Sequence, residues 1–410
     1  MPDKQDVTKL TRDYRTPRED EFPERLPVVF SRLWGLRYGE NPCQLGAVFS
    51  IAEINGIDTS VLAEATDIVS VRSDGKGKGG LSLTNTLDIG RAMDDLKFFR
   101  GEQAVVIMKH NIVSGFARQS PLEARSQIDL FRLSRDADRL SNFGGTAVFT
   151  RPLERETAEA MYELEGESTF FVDVVAAPGY DHSVVSYLEG KKNDLRIAEF
   201  SGLDKLPRFQ GDDTRGLYSF KEIPGGMMGI QDLYLTSIKT ADDLILRPYV
   251  VTKGDNPQQV GINRKPTSRE LEDLLTSWWL NISGARSNGI VFVRDGVSVA
   301  IGSGQVARVE AVNFALMKGI HKAMAREGIT FDPLYGIQGY EQLKDNPFKA
   351  AVGSSDAFFP FRDSIDSMQR LGVSAVIQPY GSNRDVESIE AANKYDMAMV
   401  CTGERGFGHF

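Results

Sequence analysis

Short apolar segments alternate with longer amphipathic segments along most of this 410-residue chain. The clearest amphipathic segment runs from Pro266 to Trp279, where Thr267 and Glu270 form a capping box ahead of apolar residues at helical spacing. Apolar runs typical of buried strands occur at residues 104–108, 170–177, 289–293 and 374–378. This alternation predicts an α/β fold in which loops gather at the strand ends.

A similar order of motifs in the two halves predicts an internal duplication. In the first half, residues 142–145 (Asn-Phe-Gly-Gly) precede a strand, a Pro-Gly turn and a predicted helix from about Asp181. In the second half, Phe358 and Phe359 precede the same sequence of elements, with a helix from about Asn383. We therefore predict an extended arm at residues 1–26 and two similar domains at residues 27–225 and 226–410.

Composition narrows the possible classes of protein. The chain is 41% hydrophobic and 26% charged, which is typical of a soluble globular protein, and it has no apolar run near the ~18 residues that span a membrane. Two cysteines and a polar N-terminal segment favour the cytoplasm over secretion. The formal net charge of −9 argues against binding to nucleic acid or anionic membranes. Any small anion must therefore be held by a local cluster of arginine and lysine.

Three phenylalanines surround one proline in residues 355–363. Pro360 fixes its own φ angle and restricts Phe359 before it, so the rings are held rigidly. One interpretation is a wall for a flat heteroaromatic ligand. The other is a packed turn before a helix that begins near Asp363, and the sequence leaves both open.

Lys109 and His110 directly follow the predicted strand at residues 104–108. A histidine at the carboxyl end of a buried strand lies where α/β proteins bind ligands, and its pKa near neutrality suits proton transfer. Most histidines are structural, so this alternative stays open. His409, four residues after Arg405, is either frayed with the terminus or folded into a site.

Two glycine-rich segments are candidate phosphate loops. Residues 302–308 follow a predicted hairpin with an Asp-Gly turn and end in Arg308. Glycines and an arginine before a helix can form a phosphate cradle, but many such loops bind no ligand, and the sequence leaves both interpretations open. Gly75, Gly77 and Gly80 fit G-x-G-x-x-G, but residues 81–85 are a poor predicted helix start, which favours a mobile loop over a dinucleotide site. The sequence has no HExxH, CxxC or nucleophile-elbow motif.

Seven segments, in order, resemble the aminoimidazole carboxamide ribonucleotide (AICAR) transformylase family. Residues 36–44 (LRYGENPCQ) resemble its RYGENPHQ signature, and residues 109–111 (KHN) resemble its KHxNPxG segment. The others are at residues 142–145, 287–288, 304–308, 355–363 and 405–409.

The resemblance implies formyl transfer from 10-formyl-tetrahydrofolate to the 5-amino group of AICAR, without a catalytic metal. It also implies a duplicated cytidine-deaminase-like α/β fold without the catalytic zinc, and a homodimer with shared active sites. An IMP cyclohydrolase domain often precedes this domain in the family. We expect this chain to be the transformylase alone, and a separate IMP cyclohydrolase is a candidate partner. The rival hypotheses are a catalytically idle purine-nucleotide or folate-binding relative and a nicotinamide dinucleotide enzyme.

The resemblance also assigns roles to individual residues. His110 is implied as the base, Lys109 as the cation for the oxyanion or leaving nitrogen, and Asn288 as the group that polarises the formyl carbon; His409 completes the catalytic set. The implied substrate-binding residues are Arg37, Tyr38, Asn85, Gly144, Asp173, Arg308, Phe358 and Arg405. The implied folate-binding residues are Phe143, Phe359, Pro360 and Phe361. Ile112, Val113 and Ser114 depart from the family pattern, which has proline at the middle position, and this departure predicts a looser loop after His110.

Overall fold

The computed structural model describes residues 5–8, 10, 22–59, 67–72, 80–120, 123–162, 171–253, 255–330 and 338–409. The strands in this part of the chain are β1 (Gln5–Asp6), β2 (Val28–Gly35), β3 (Ala47–Ile54), β4 (Ile57–Asp58), β5 (Ile68–Ser70), β6 (Ala104–Lys109), β7 (Ile112–Arg118), β8 (Gly145–Phe149), β9 (Val172–Ala177), β10 (Arg196–Phe200), β11 (Tyr218–Ile223), β12 (Met227–Asp232), β13 (Pro248–Val251), β14 (Gln259–Gly261), β15 (Ile290–Arg294), β16 (Val297–Gly302), β17 (Val352–Ser355), β18 (Ala375–Gln378) and β19 (Ala398–Cys401). The α-helices are α1 (Leu83–Leu96), α2 (Gln127–Ala137), α3 (Arg139–Asn142), α4 (Arg155–Ala160), α5 (His182–Lys191), α6 (Ser268–Gly284), α7 (Arg308–Arg326), α8 (Asp363–Arg370) and α9 (Asp385–Lys394).

The chain divides into two compact units. The first unit contains Met1–Pro17, Ala104–Phe143 and Ile238–Phe410, and the second contains Arg18–Gln103 and Gly144–Ser237. These units do not follow the predicted domain boundaries, because residues 104–143 group with the C-terminal part of the chain. The predicted pair of domains therefore stays a prediction.

A seven-stranded sheet with the order β19-β18-β17-β15-β16-β7-β6 organises the first unit. Strands β17, β18 and β19 are parallel, and the remaining neighbours pair antiparallel. Helices α6 and α7 pack against this sheet. The core beneath them includes Phe292, Phe348 and Phe359, which are all fully buried. Strands that are buried on both faces have continuous apolar sequences rather than alternating ones.

The second unit is built around four strands in the order β8-β9-β10-β5. Strands β8, β9 and β10 are parallel, and β5 pairs antiparallel with β10. Two smaller antiparallel sheets, β2-β3-β4 and β11-β12, complete the unit. The parallel strands place their carboxyl ends at one edge of the sheet, where the connecting loops gather.

The order of elements repeats along the chain. A helix, an antiparallel strand pair and then alternating helices and parallel strands run from α1 to β10, and the same order runs from α6 to β19. The predicted mixed α/β class is therefore confirmed. Within the described residues, no helix is both long and apolar enough to cross a membrane.

Helix α6 begins where the capping box predicts. Thr267 is the N-cap, its hydroxyl accepts from the Glu270 N–H, and the Glu270 carboxylate accepts from the Thr267 N–H at 2.8 Å. The helix continues beyond Trp279 to Gly284, with Trp278 fully buried. Local capping chemistry thus decided the start of this helix, and burial carried it further.

Residues 81–85 correct a prediction, because they do begin a helix. Ser82 is the N-cap of α1, and its side chain and that of Asn85 form a reciprocal capping box. Residues 73–79 of the glycine-rich loop lie outside the described residues. The strand before that loop, β5, is an antiparallel edge strand, whereas a dinucleotide fingerprint needs a parallel β-α-β unit. In the predicted arm, residues 1–26, strand β1 pairs with β13 and Val7 is fully buried. Most of the other arm residues lie outside the described residues.

Candidate active site

Lys109 and His110 lie at the tip of a tight hairpin. Lys109 pairs with Ile112, so β6 and β7 are joined by only two residues, His110 and Asn111. Their φ angles are +56° and +60°, and two positive φ angles are what a type I′ hairpin turn requires. The predicted looser loop is therefore wrong. Val113, which replaces the family's proline, pairs with Met108, and its N–H allows the ladder to continue to the tip.

A bulge fixes the base of this hairpin. The register shifts between Ile107 and Met108, which leaves Ser114 as the extra residue on β7. The Ser114 hydroxyl lies 3.0 Å from the Ile107 carbonyl oxygen and also contacts the Asn142 side chain. Gly115 follows, and a Cβ there would overlap the Ser134 carbonyl oxygen of α2, so only glycine allows this close approach.

The same packing positions Lys109. The fully buried Asn142 side chain donates to the Arg135 carbonyl oxygen at 2.8 Å, which holds α3 against α2. Phe143 comes next, and its carbonyl oxygen accepts a hydrogen bond from the Lys109 Nζ at 2.7 Å. The Phe143 ring is 55% exposed. The ammonium group of Lys109 is thus tied to a main-chain acceptor, and the next residue, His110, is exposed at the hairpin tip.

A cavity of about 450 Å³ lies elsewhere in the first unit. Its walls come from the start of α7, from the aromatic segment before α8 and from the C-terminal segment. Six of the predicted site residues line it: Asn288, Arg308, Phe358, Pro360, Phe361 and Arg405. Lys109 and His110 are not among its lining residues. A pocket with an aromatic wall and a few polar groups is typical of small-molecule sites.

Arg308 and Asp356 form a buried ion pair at one end of this cavity. The Arg308 Nη1 lies 2.5 Å from the Asp356 Oδ1, and the Asp356 side chain is fully buried. The Arg308 Nη2 donates to the Asn288 Oδ1 at 2.6 Å. The Asn288 amide group in turn donates to the carbonyl oxygens of Gln305 and Val306 at 2.9 and 3.0 Å. The Asn288 carboxamide is therefore held at both its oxygen and its nitrogen. Arg308 is already paired with the Asp356 carboxylate, so a bound phosphate would have to share the guanidinium group with it.

The C-terminal segment is folded against the same network. The Gly406 N–H donates to the Asp356 carbonyl oxygen at 2.9 Å, and Ser287 and Gly408 exchange hydrogen bonds at 2.9 and 3.2 Å. The Ser287 hydroxyl also contacts the Asp356 carboxylate at 2.5 Å. Arg405 stacks over the Phe407 ring, which meets the His409 ring edge to face. His409 itself remains exposed.

The aromatic segment divides between cavity and core. Phe358 and Pro360 line the cavity, whereas Phe359 is fully buried in the core, which places its ring behind the wall rather than in it. The Phe359 N–H donates to the buried Gln378 Oε1 at 2.8 Å. Helix α8 begins at Asp363, so the interpretation as a packed turn before a helix is confirmed, and the interpretation as a wall for a ligand stays a prediction.

The remaining predicted substrate residues belong to the second unit. Arg37 lies over the Tyr38 ring, and the Tyr38 carbonyl oxygen accepts from the Leu83 N–H at the start of α1. Asp173 is paired with Arg196 at 2.6 Å. The other two are Asn85, whose side chain closes the α1 capping box, and Gly144, which has a φ of +74° just before β8.

Comparison with known proteins decides the family. The profile described as "AICARFT/IMPCHase bienzyme" matches residues 5–318, which is well over half of the chain. The chain belongs to this family. The AICARFT/IMPCHase profile thus covers the hairpin with Lys109 and His110, together with Asn288 and Arg308 of the cavity.

Individual members of the AICARFT/IMPCHase family match over nearly the whole chain. The bifunctional purine biosynthesis proteins PurH of Caldicellulosiruptor saccharolyticus and Persephonella marina are each 33% identical over 391 and 393 residues, which is 95% of this chain and 62% of each relative. PurH of Anaeromyxobacter dehalogenans strain 2CP-C is 34% identical over 406 residues, 97% of this chain and 64% of the relative. The chain therefore spans less than two thirds of these relatives.

Sequence reasoning missed three residues that hold the site together. Asn142 links α2, β7 and the main chain beside Lys109, Ser287 joins the C-terminal segment to Asp356, and Gln378 supports Phe359. Each contact joins residues that are distant in the chain, so no pattern in the local sequence predicts the contact. Burial raises the pKa of the Asp385 carboxyl to about 7, although its Oδ2 accepts from the Gly381 N–H at 2.9 Å. Among the described residues, no group of three histidine, cysteine or acidic side chains is arranged to hold a metal.

Proposed function

We propose that this chain acts in the cytoplasm in purine biosynthesis, transferring the formyl group of 10-formyl-tetrahydrofolate to the 5-amino group of AICAR. The observation that carries the proposal is the tight hairpin tip, where the exposed His110 directly follows Lys109, whose ammonium group is tethered to the Phe143 carbonyl oxygen. Membership of the AICARFT/IMPCHase family supports it.

The reaction needs a base because the amine of AICAR is a poor nucleophile. Its electrons are drawn into the neighbouring carboxamide, so attack on the formyl carbon requires positioning and proton removal. In our proposal the amine nitrogen bonds to the formyl carbon while His110 takes the amine proton. Lys109 stabilises the resulting oxyanion, and the bond from the formyl carbon to the folate N10 breaks as that nitrogen takes a proton from the Lys109 ammonium group.

The cavity supplies the binding groups. The aromatic wall of Phe358, Pro360 and Phe361 would face the flat rings, with Phe359 supporting the wall from behind and Phe143 contributing beside Lys109. Asn288 would polarise the formyl group by exchanging one of its two main-chain acceptors for the formyl oxygen, while Arg308 holds its orientation. The proposed phosphate and ribose contacts are Arg37, Tyr38, Asn85, Gly144, Asp173, Arg308 and Arg405, and His409 closes the site. The proposed chemistry uses no metal.

The proposal is tested by incubating the purified chain with AICAR and 10-formyl-tetrahydrofolate and following tetrahydrofolate release. We expect steady turnover that persists in a chelator, because proton transfer and positioning supply the chemistry. Conversion of formyl-AICAR to IMP, measured in parallel, reports whether the chain also carries the second activity in the family's name. Absence of formyl transfer with AICAR still bound in calorimetry would contradict the proposal.

We also propose that the chain forms a homodimer whose active sites combine two copies. In support, Lys109 and His110 at the hairpin tip are not among the residues that line the cavity of the same unit. A second copy of the chain could supply the hairpin tip that the cavity lacks. The second unit carries large exposed apolar side chains on two hairpins, as expected of a surface covered in an assembly. These side chains are Val29, Phe30, Leu33 and Phe49 on β2 and β3, and Ile223, Met227 and Met228 on β11 and β12.

Shared sites predict complementation between two inactive variants. Co-expression of His110→Asn with Asn288→Ala should give about one quarter of wild-type turnover, because half of randomly formed two-fold dimers are mixed and each contains one intact site. Each variant alone should be inactive. The measurement is formyl transfer by the co-purified mixture. No recovery, or a monomer in sedimentation velocity, would rule out sites assembled from two copies.

A further inference from the structure

A second cavity, of about 290 Å³, lies in the second unit. Its walls are the segments that directly follow three parallel strands: Thr150 and Arg151 after β8, Pro178 after β9, and residues 201–204 after β10. Loops at the carboxyl ends of parallel strands are where α/β proteins bind ligands. The proposed substrate residues Gly144 and Asp173 lie at the opposite ends of β8 and β9, so this cavity is separate from them.

Two arginines give the cavity a positive charge. Arg151 donates from Nη2 to the Gly101 carbonyl oxygen at 2.8 Å, and Arg100 donates from Nη1 to the carbonyl oxygens of Asp204 and Leu206. The acceptors of these three hydrogen bonds are main-chain carbonyl oxygens, which carry no net charge. Such contacts orient a guanidinium group without neutralising its charge.

A third arginine, Arg208, lies near Arg100 but does not line the cavity. Burial lowers the pKa of Arg208, and repulsion from the nearby Arg100 lowers it further, whereas Asp212 acts in the opposite direction. Asp204 is the one acidic residue among the lining residues described, and it is exposed, against two arginines. The cavity is therefore locally positive in a chain whose formal net charge is −9. Close guanidinium groups are what a bound anion would stabilise.

We propose that this cavity binds a small phosphate monoester. Arg100 and Arg151 would share the phosphate oxygens, because guanidinium groups match phosphate geometry with paired N–H donors. The volume is near the lower limit of about 300 Å³ for small-molecule pockets, which leaves space for a body larger than phosphate alone. Pro178 and Leu203 supply the apolar walls against which that body would pack.

The test is a calorimetric titration of the full chain with ribose 5-phosphate and, in parallel, with inorganic phosphate. We expect the Arg100→Gln/Arg151→Gln variant to bind ribose 5-phosphate at least about tenfold more weakly than the wild type, since each lost charge-assisted hydrogen bond has a cost of that order. Arg151→Gln alone, at an exposed position, should show the same direction of change if the double variant is unstable.

Two control variants separate this site from others. Arg215→Gln removes a highly exposed arginine of the same unit and should leave the titration unchanged. Arg405→Gln alters the cavity of the first unit and should retain the binding that the double variant loses. The proposal is overturned if the wild type does not bind the monoester, if the double variant binds it as well as the wild type, or if Arg405→Gln alone abolishes binding. Binding of inorganic phosphate without ribose 5-phosphate would likewise overturn the assignment to a monoester.

Discussion

Replacing His110 with asparagine is expected to lower the kcat of formyl transfer by about 10²- to 10⁴-fold, the usual contribution of a positioned general base. Asparagine removes the imidazole but tolerates the positive φ of the hairpin tip better than alanine does. The backbone should therefore keep its geometry while the proton acceptor is lost. The measurement is steady-state turnover together with AICAR affinity, which should change much less than kcat.

Two further variants make this result specific. His182→Asn is the matched control, since it removes an exposed histidine at the start of α5 and should leave turnover unchanged. His110→Ala should lose activity to the same extent and also lower stability by up to about 1 kcal/mol, because alanine adopts the left-handed conformation less readily than histidine or asparagine. If His110→Asn kept turnover near that of the wild type, His110 would not be the base.

Removing the Asp356 carboxylate, which is buried behind the cavity residue Arg308, is expected to be strongly destabilising. Asp356→Ala leaves the buried guanidinium of Arg308 without its charged partner, and breaking such a pair costs about 3–5 kcal/mol. The Ser287 hydroxyl loses its acceptor at the same time. The expected result is a large drop in the urea midpoint, accompanied by slower formyl transfer because Asn288 loses its fixed orientation.

An exposed pair provides the comparison for that loss. Asp345 binds Arg294 at 2.5 Å, but its side chain is 66% exposed, so Asp345→Ala should cost no more than about 1 kcal/mol. Adding Arg308→Met to Asp356→Ala should recover part of the stability, because it removes the unpaired charge. Equal midpoints for Asp356→Ala and Asp345→Ala would show that burial does not govern the strength of the first pair.

Locally encoded features were predicted well from the sequence. The Thr267–Glu270 capping box gave the start of α6, and Asp295-Gly296 gave the turn between β15 and β16, where both residues have positive φ angles. Each depends on residues within a few positions of one another, so their chemistry is visible in the linear order. The same reasoning failed at α1, where the Asn85 side chain completes a capping box that its position in a glycine-rich context obscured.

The geometry of the candidate site depended on contacts between distant residues. Val113 predicted a looser loop, yet the Asn142 side chain and the bulge at Ser114 support a tight hairpin. The aromatic segment was correctly identified as unusual, but only packing against the core decided that Phe359 faces inward while Phe358 lines the cavity. Side chains in one rigid segment point to both sides, and the surrounding elements decide which side is filled.

The sequence by itself determined the α/β class, the repeated order of elements, the start of α6, the turn between β15 and β16, and a family resemblance that the comparisons confirmed. These follow from periodicity, capping and turn chemistry, which act over a few residues, and from ordered motifs. Only the tertiary structure decided that Arg308 is paired with Asp356, that Asn288 is held at both ends, and that the C-terminal segment closes on them. Buried charges and amides take whichever partners folding brings within reach, and that proximity is not written in the linear order of the chain.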